Sequence, residues 1–182
     1  MKFELTTDRL ILKVLSAEDA PAVFDFYMRN KGLFEKFEPV VGEGFYSEDY
    51  HRKVLEFEYK SILKLGMVRY FIFEKDDPSK IIGTLSFRNI TRHFYSCCTV
   101  GYKMDQDYWR KGYCYEALKA SIPEITGGIG IHRIEALVLP DNIPSLKLLE
   151  KLGFEQEGLL RDKIELNGVR RDHIMLSYIA DN

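Results

Sequence analysis

Apolar and polar positions along this chain repeat with two different periods, and the changes of period divide it into strands and helices. Alternation with a two-residue period, or a short apolar run between turn residues, predicts a strand. The segments of this kind are residues 10–15, 69–74, 81–90, 97–104, 133–139, 155–166 and 173–178. Asn167 and Gly168 separate the last two strands, and this dipeptide predicts a tight hairpin turn.

Four other segments carry apolar residues at helical spacing. Their helices are expected to start near Ser16, Ser47, Gly112 and Asn142, and three of these four residues favour helix caps through their side chains. Pro123 is expected to kink or end the third helix, and the glycine-rich run at 127–130 predicts a turn. The aromatic and glycine-bearing segment 31–45 is predicted to be irregular.

The resulting order is one strand, two helices, three strands, a helix, a strand, a helix and a final hairpin. Consecutive strands at both ends and a βαβ unit in the middle predict one mixed sheet with helices on its faces. The expected fold class is therefore α/β, or α+β with a mixed sheet, having about seven strands and about four helices. A length of 182 residues fits a single domain covering residues 1–182.

Composition and charge reduce the number of function classes that the chain can belong to. The chain has 46% hydrophobic and 30% charged residues, which is typical of a globular protein. A formal net charge of −2 argues against general nucleic-acid binding, which needs a basic face. There is no apolar signal region at the start and no run near the ~18 apolar residues of a membrane span. The three cysteines lack zinc-ligand spacing, so we expect no metal and reduced thiols in a cytoplasm.

The strand at 97–104 leads through a short polar loop into a helix, with two basic residues and a glycine at the junction. Arg110, Lys111 and Gly112 precede the first N–H groups of the helix, which lack internal partners and lie at the positive end of its dipole. Gly112 has no Cβ, so an anion can approach the backbone closely. An ordinary strand-to-helix connection explains the same pattern, and neither a P-loop nor a dinucleotide fingerprint is present.

Three segments, taken together, resemble the GNAT superfamily of N-acetyltransferases. Gly101 and Tyr102, followed by Tyr-Trp-Arg-Lys-Gly-Tyr at 108–113, resemble its acetyl-CoA loop. Pro-Asp-Asn-Ile-Pro-Ser at 140–145 and Leu-Glu-Lys-Leu-Gly-Phe at 149–154 resemble its second cofactor motif. Gly-Leu-Leu-Arg at 158–161, with the turn at 167–168, resembles the hairpin of the branch related to ribosomal-protein N-terminal (alanine/serine) acetyltransferases.

The resemblance implies that acetyl-CoA is the co-substrate and lies where the fourth and fifth strands splay apart. Backbone groups of Tyr102, Lys103 and Met104 would pair with the pantetheine arm as an added strand does. The pyrophosphate would lie on the N–H groups of a loop made of Arg110, Lys111, Gly112, Tyr113, Cys114 and Tyr115. Lys151 either reaches the adenosine phosphates or is a solvated surface lysine.

The implied reaction is direct transfer of the acetyl group to an amine, without a covalent enzyme intermediate and without a metal. The acceptor nitrogen loses a proton, the thioester oxygen needs a donor and the leaving thiolate needs a proton. An N–H near Tyr102 or Lys103 is the expected oxyanion donor. Asn142 would contact the pantetheine arm near the thioester, and Ser145 is the candidate acid. The alternative for Ser145 is a first-turn residue that bonds the backbone.

The sequence departs from the family pattern at positions that bear on catalysis. Thr99 stands where many relatives have a glutamate base, Leu149 where many have a tyrosine acid, and Ile164 where the ribosomal branch has a carboxylate. The candidate bases that remain, directly or through water, are Glu135, Glu165, His93 and His173. Cys114 replaces a usual Ala or Gly, and either the helix N-terminus lowers its pKa or it is a small buried residue.

The acceptor is not readable from the sequence, and a protein N-terminal amine and a small amine both remain open. Segment 31–45 and the turn at Asn167 would form the acceptor side, unless segment 31–45 only covers the core. Nearby carboxylates favour a cationic acceptor unless they are merely solvated; they are Glu35, Glu38, Glu43, Glu48 and Asp49. Related proteins often pair, so a homodimer is a further expectation. The residues at 99 and 149 also motivate a second function, a CoA-binding sensor that has lost catalysis.

Overall fold

The structure, a computed structural model, describes residues 1–36, 39 and 41–181, with Glu43 described by its backbone only. Its strands are β1 (Glu4–Thr6), β2 (Leu10–Lys13), β3 (Val68–Glu74), β4 (Ile81–Thr91), β5 (Cys97–Met104), β6 (Arg133–Val138), β7 (Glu155–Leu166) and β8 (Val169–Ile179). They form one sheet in the order β1-β2-β3-β4-β5-β6-β8-β7. Neighbouring strands are antiparallel except for β5 and β6, which are parallel, so the predicted mixed sheet is confirmed.

Five helices flank this sheet in the described part of the chain. They are α1 (Ala20–Arg29), α2 (Lys31–Phe34), α3 (Glu48–Leu63), α4 (Tyr113–Ile129) and α5 (Ile143–Lys151). Side-chain caps begin two of them as expected: the Ser47 hydroxyl accepts a hydrogen bond from the Tyr50 N–H, and Asn142 does the same for Ser145. The capping box at Ser16 precedes a 3₁₀ turn, and α1 follows directly.

The two faces of the sheet are covered by different helices. One core cluster packs α4 and α5 against the centre of the sheet; its members include Leu118, Ile122, Leu149, Phe87, Val100 and Ile134. The other packs α1 and α3 against the opposite face; its members include Val23, Phe26, Leu55, Phe71 and Phe73. Residues that alternate along β5 therefore point either toward α4 or toward α1 and α3.

Helix α4 contradicts two sequence-based expectations, namely that it ends at Pro123 and that residues 127–130 form a turn outside it. It runs without interruption through Pro123, because Ile122 and Ile125 on either side are buried and their packing offsets the ~3 kcal/mol that an internal proline costs. Gly127 and Gly128 belong to its last turn instead of a loop. The chain turns only at Gly130, whose left-handed φ of 81° ends the helix.

Two short elements of the fold were not predicted from the sequence. Strand β1 pairs with β2 at the sheet edge, but three partly exposed residues leave no readable alternation, so the sheet has eight strands instead of seven. Segment 31–45, predicted to be irregular, contains α2 and a 3₁₀ turn at Glu43–Phe45. Residues 37, 38 and 40 of that segment lie outside the described residues.

Candidate active site

The centre of the sheet opens where β5 and β6 diverge. Their parallel register runs from Cys97 opposite Arg133 to Val100 opposite Ala136 and stops there. Strand β5 nevertheless continues to Met104, held on its other side by β4. The edge of β5 over residues 101–104 therefore faces a gap instead of β6, and the splay implied by the resemblance is present. Backbone donors and acceptors along that gap suit an extended ligand.

The loop that follows β5 is stiff and basic. Asp105 is buried and holds the Nη1 of Arg29 at 2.7 Å, while the indole N–H of Trp109 donates to the Met104 carbonyl at 3.0 Å. Arg110 and Gly112 both have left-handed φ values, 60° and 80°. Turns of this kind direct successive N–H groups toward one concavity, which suits an anion, and α4 begins immediately after Gly112.

An ion pair that sequence reasoning missed holds this loop in place. Arg9, just before β2, binds Glu116 of α4 through Nε at 2.7 Å and Nη2 at 2.6 Å, and its Nη1 donates to the Lys111 carbonyl at 3.0 Å. The Thr7 hydroxyl also donates to Glu116 at 2.6 Å. Burial raises the pKa of Glu116, but hydrogen bonds from Thr7 and Arg9 together outweigh it, so the pKa lies below its usual value.

We expect Glu116→Gln to lower stability at neutral pH by about 1 kcal/mol, discounted because the Arg9 side chain is half exposed. A depressed carboxyl pKa stabilises the fold above the pKa of the unfolded chain, and this contribution disappears as pH falls through the folded value. Urea unfolding across pH 3–8 measures the difference. Glu56→Gln, which removes an exposed carboxylate of α3, is the control. A Glu116→Gln effect that persists unchanged at the acid end would contradict this assignment.

Tyr102 and Ser145 meet at the centre of the gap. The phenol oxygen of Tyr102, on β5, lies 2.6 Å from the hydroxyl of Ser145, in the first turn of α5. The Ser145 N–H is held at 3.3 Å by the side-chain oxygen of Asn142. Burial, with a smaller contribution from Cys114, raises the pKa of Tyr102 although the hydrogen bond to Ser145 lowers it. Both hydroxyls therefore keep their protons at neutral pH, and either one can donate.

Cys114 sits in the first turn of α4 beside Tyr102, with its side chain partly exposed. Loss of hydration raises the pKa of its thiol to about 12. This direction is opposite to the lowered pKa expected from the helix N-terminus, and it favours the interpretation of Cys114 as a small packed residue.

Two of the three lysines assigned to the cofactor, Lys103 and Lys151, extend in different directions. Lys151 lies with its Nζ 4.5 Å from the ring centre of Tyr115, so α5 brings it to the side of the basic loop. The Lys103 side chain instead leaves the opposite face of β5 and lies over the rings of Tyr27 and Phe34, at 5.0 and 5.1 Å. Only the backbone of Lys103 therefore faces the gap.

Three of the four candidate bases have hydrogen-bond or ion-pair partners, and the fourth is exposed. Glu135 accepts from Arg133 at 2.8 Å, although its Cα is the register partner of Thr99. Glu165 pairs with Arg170 on the exposed part of the β7–β8 hairpin. His93 is an exposed turn residue, whereas His173 is buried with its Nδ1 3.1 Å from the Arg171 carbonyl. Two other residues that differ from the family pattern have structural positions: Leu149 is fully buried in the core, and Ile164 lies on β7.

The acidic residues near segment 31–45 do not form a common surface among those the structure describes. Glu35 accepts from the Tyr46 hydroxyl at 3.0 Å, and Asp49 pairs with Lys53 at 2.6 Å, fully in solvent. Glu48 is exposed in the first turn of α3. Glu38 and the side chain of Glu43 lie outside the described residues. The three carboxylates that can be placed therefore fit the alternative in which these residues are merely solvated.

A cavity of about 170 Å³ lies on the α1–α3 face of the sheet, and no motif pointed to it. It is lined by His51 of α3, by Arg69 of β3, Arg88 of β4 and Lys103 of β5, and by aromatic rings of α1 and α3. His51 is 2% exposed, and burial, together with Arg69, lowers its pKa to about 4. This cavity reaches β5 beside the gap, from the opposite face.

Over residues 1–36, 39 and 41–181, no cluster of three or more His, Cys, Asp or Glu side chains is arranged to hold a metal ion. The helices of the same residues are all too short or too polar to cross a membrane.

Comparisons with known proteins fit this geometry. A family model described as an acetyltransferase (GNAT) domain matches residues 9–155. The [ribosomal protein uS5]-alanine N-acetyltransferase of Escherichia coli (strain K12) is 35% identical over 178 residues, covering 96% of this chain and 89% of that enzyme. The ribosomal-protein-S5-alanine acetyltransferase from Vibrio fischeri superposes with a TM-score of 0.94 at 28% identity, covering 100% and 98% of the two chains. RimJ of Mycobacterium smegmatis, solved in complex with CoA-disulfide, gives 0.87 at 25% identity, covering 94% and 82%.

Proposed function

Because the chain belongs to the GNAT acetyltransferase family, we propose that it transfers the acetyl group of acetyl-CoA directly to a primary amine. The observation that carries this proposal is the gap beside residues 101–104, with the Tyr102–Ser145 pair at its centre. At one end of the gap lies the loop in which Arg110 and Gly112 have left-handed φ values. An extended thioester and its phosphates need these two features side by side. In the same proposal, residues 1–182 act as one acetyltransferase domain.

The cofactor is assigned to the gap on the basis of the groups that line it. The backbone of Tyr102, Lys103 and Met104 offers the hydrogen bonds of a missing strand to the pantetheine amides. The N–H groups of residues 110–115 receive the pyrophosphate, with charge added by Arg110 and Lys111. A relative of similar fold was solved with CoA-disulfide, which supports this assignment.

The reaction requires loss of a proton from the acceptor nitrogen, a hydrogen-bond donor for the oxyanion and a proton for the leaving sulfur. The acceptor nitrogen attacks the thioester carbon, and its proton leaves through water because the candidate carboxylates are engaged. An N–H of β5 near Tyr102 or Lys103 stabilises the oxyanion. The C–S bond breaks, and the sulfur takes the proton of Ser145, whose hydroxyl is oriented by Tyr102 and is then reprotonated from water. Asn142 fixes the start of α5 and with it the position of Ser145.

We assign the acceptor to protein N-terminal amines before small amines. The support is similarity along 96% of the chain to an enzyme named for an alanine of ribosomal protein uS5. Ribosomal proteins are made in the cytoplasm, so the proposal places the enzyme there, and pairing as a homodimer is part of it. A net charge of −2 favours a protein acceptor over nucleic acid.

The experiment is calorimetric titration with acetyl-CoA, run beside a thiol-release assay on N-terminal peptides and small amines. Binding with thiol release that depends on the amine supports the proposal and identifies the acceptor class. Binding without release from any amine supports the second candidate, a CoA sensor, which Thr99 and Leu149 motivate. Absence of acetyl-CoA binding would overturn both.

A further inference from the structure

The cavity on the α1–α3 face is lined by two buried nitrogen atoms, of Arg69 and His51, without hydrogen-bond partners in the described part of the chain. The Nη2 of Arg69 pairs with Glu58 at 3.0 Å, but the buried Nε of Arg69 has no hydrogen-bond partner among residues 1–36, 39 and 41–181. The buried Nε2 of His51 has no partner among the same residues. Buried polar atoms without partners are uncommon and costly, so two of them around one cavity indicate that a ligand or ordered solvent satisfies them.

Among the residues that the structure describes, one carboxylate faces the two arginines of the cavity. Arg88 has no carboxylate within ion-pair distance among the described residues, and Glu58 is the only carboxylate there that faces Arg69. Burial raises the pKa of Glu58 against the opposing influence of Arg69 and Arg88, so Glu58 supplies at most one negative charge for two guanidinium groups. One further anion would balance the two arginines.

The cavity is built to hold such a group close to the reaction. The His51 ring stacks on Tyr27 at 4.9 Å with an interplanar angle of 11°, which fixes the direction of its free nitrogen. The guanidinium of Arg88 lies where a side chain at Gly101 would be, since a Cβ there would stand 3.1 Å from its Nη2. Gly101 directly precedes Tyr102 on β5, so the cavity and the proposed thioester site share one short stretch of strand.

We propose that this cavity binds a carboxylate of the amine acceptor, so that the enzyme prefers acceptors with an acidic group near the reacting amine. This inference rests on the proposed function and names its substrate class. Arg88 and the Nε of Arg69 donate to the carboxylate. Neutral His51 also donates to it, in the tautomer that carries the proton on Nε2. A volume of about 170 Å³ fits a side-chain or C-terminal carboxylate but not a nucleotide.

The test uses pairs of amine acceptors that differ only in a carboxylate and its carboxamide. One pair has Glu or Gln as the second residue of an N-terminal peptide, and the other is a dipeptide with a free or an amidated C-terminus. We expect kcat/KM to favour the acid of at least one pair by roughly tenfold, as charge-assisted hydrogen bonds do. The pair that shows the preference tells whether the carboxylate comes from a side chain or a C-terminus.

Variants locate the preference in the cavity. Arg88→Gln should abolish the difference between acid and amide by raising KM for the acid, with KM for acetyl-CoA unchanged. Arg92→Gln removes an equal charge from an exposed residue just after β4 and should keep the preference. His51→Phe retains the ring stack but loses the nitrogen, and should reduce the preference severalfold. Thermal unfolding of each variant separates these effects from loss of fold.

Three outcomes are distinguishable. Equal rates for acid and amide in the wild type, or a preference that survives Arg88→Gln, overturn the carboxylate site while leaving acetyl transfer intact. No transfer to any amine overturns the proposed function, and the carboxylate site is then tested by direct binding of a carboxylate to the cavity. Calorimetry with N-acetylglutamate should show binding to the wild type that is lost in Arg88→Gln; no binding, or equal binding, overturns the site.

Discussion

Ser145→Ala is expected to reduce kcat for acetyl transfer roughly 100-fold, about 2.7 kcal/mol in activation free energy, with little change in KM for acetyl-CoA. The reason is that Ser145 is proposed to protonate sulfur as the C–S bond breaks, a role confined to the transition state. Steady-state kinetics with saturating acceptor measures the split between kcat and KM.

Tyr102→Phe and Ser61→Ala are the matched controls for this prediction. Tyr102→Phe keeps the ring in place and removes the partner 2.6 Å from the Ser145 oxygen, so we expect a smaller loss of roughly tenfold. Ser61→Ala removes a hydroxyl that bonds only its own helix, at the Phe57 carbonyl, and should leave kcat unchanged. If Ser145→Ala keeps the wild-type kcat, Ser145 is not the acid and has only a structural role in the first turn of α5.

The sequence predicted the elements whose pattern is local. Strand β5 was bounded correctly from its alternation, and the turn at Asn167 and Gly168 follows from the need for two positive φ values, here 51° and 77°. The cap at Asn142 was predicted from a side chain that bonds a neighbouring N–H. Pro123 was misjudged because tertiary packing on both sides of it opposed a local rule.

The site was less predictable, because its parts meet only in three dimensions. Tyr102 and Ser145 were both assigned to the cofactor, but 43 residues separate them and nothing local shows that their hydroxyls touch. His51, Arg69 and Arg88 come from one helix and two strands, and each alone is typical of an amphipathic surface. Their shared cavity follows from sheet order, which neither periodicity nor motif spacing specifies.

Gly112→Glu is expected to weaken acetyl-CoA binding by roughly 100-fold. Gly112 has a φ of 80° at the start of α4, so any side chain there is strained, and a carboxylate also repels the phosphates proposed to lie on the same N–H groups. At an effective dielectric constant near 20, two like charges about 5 Å apart cost about 3 kcal/mol, which sets this magnitude. Calorimetric titration at low salt measures it.

Two controls separate charge from strain. Gly112→Gln adds the same bulk without charge, so the difference in affinity between the two variants should shrink as ionic strength rises, since salt screens exposed charges. Gly130→Glu places the same side chain at the other end of α4, at a φ of 81° and with open space around its Cβ. It should lower stability as Gly112→Glu does but leave acetyl-CoA affinity unchanged. Equal affinity for Gly112→Glu and wild type would place the phosphates elsewhere, because a strained carboxylate at the first N–H groups of α4 is incompatible with a bound pyrophosphate.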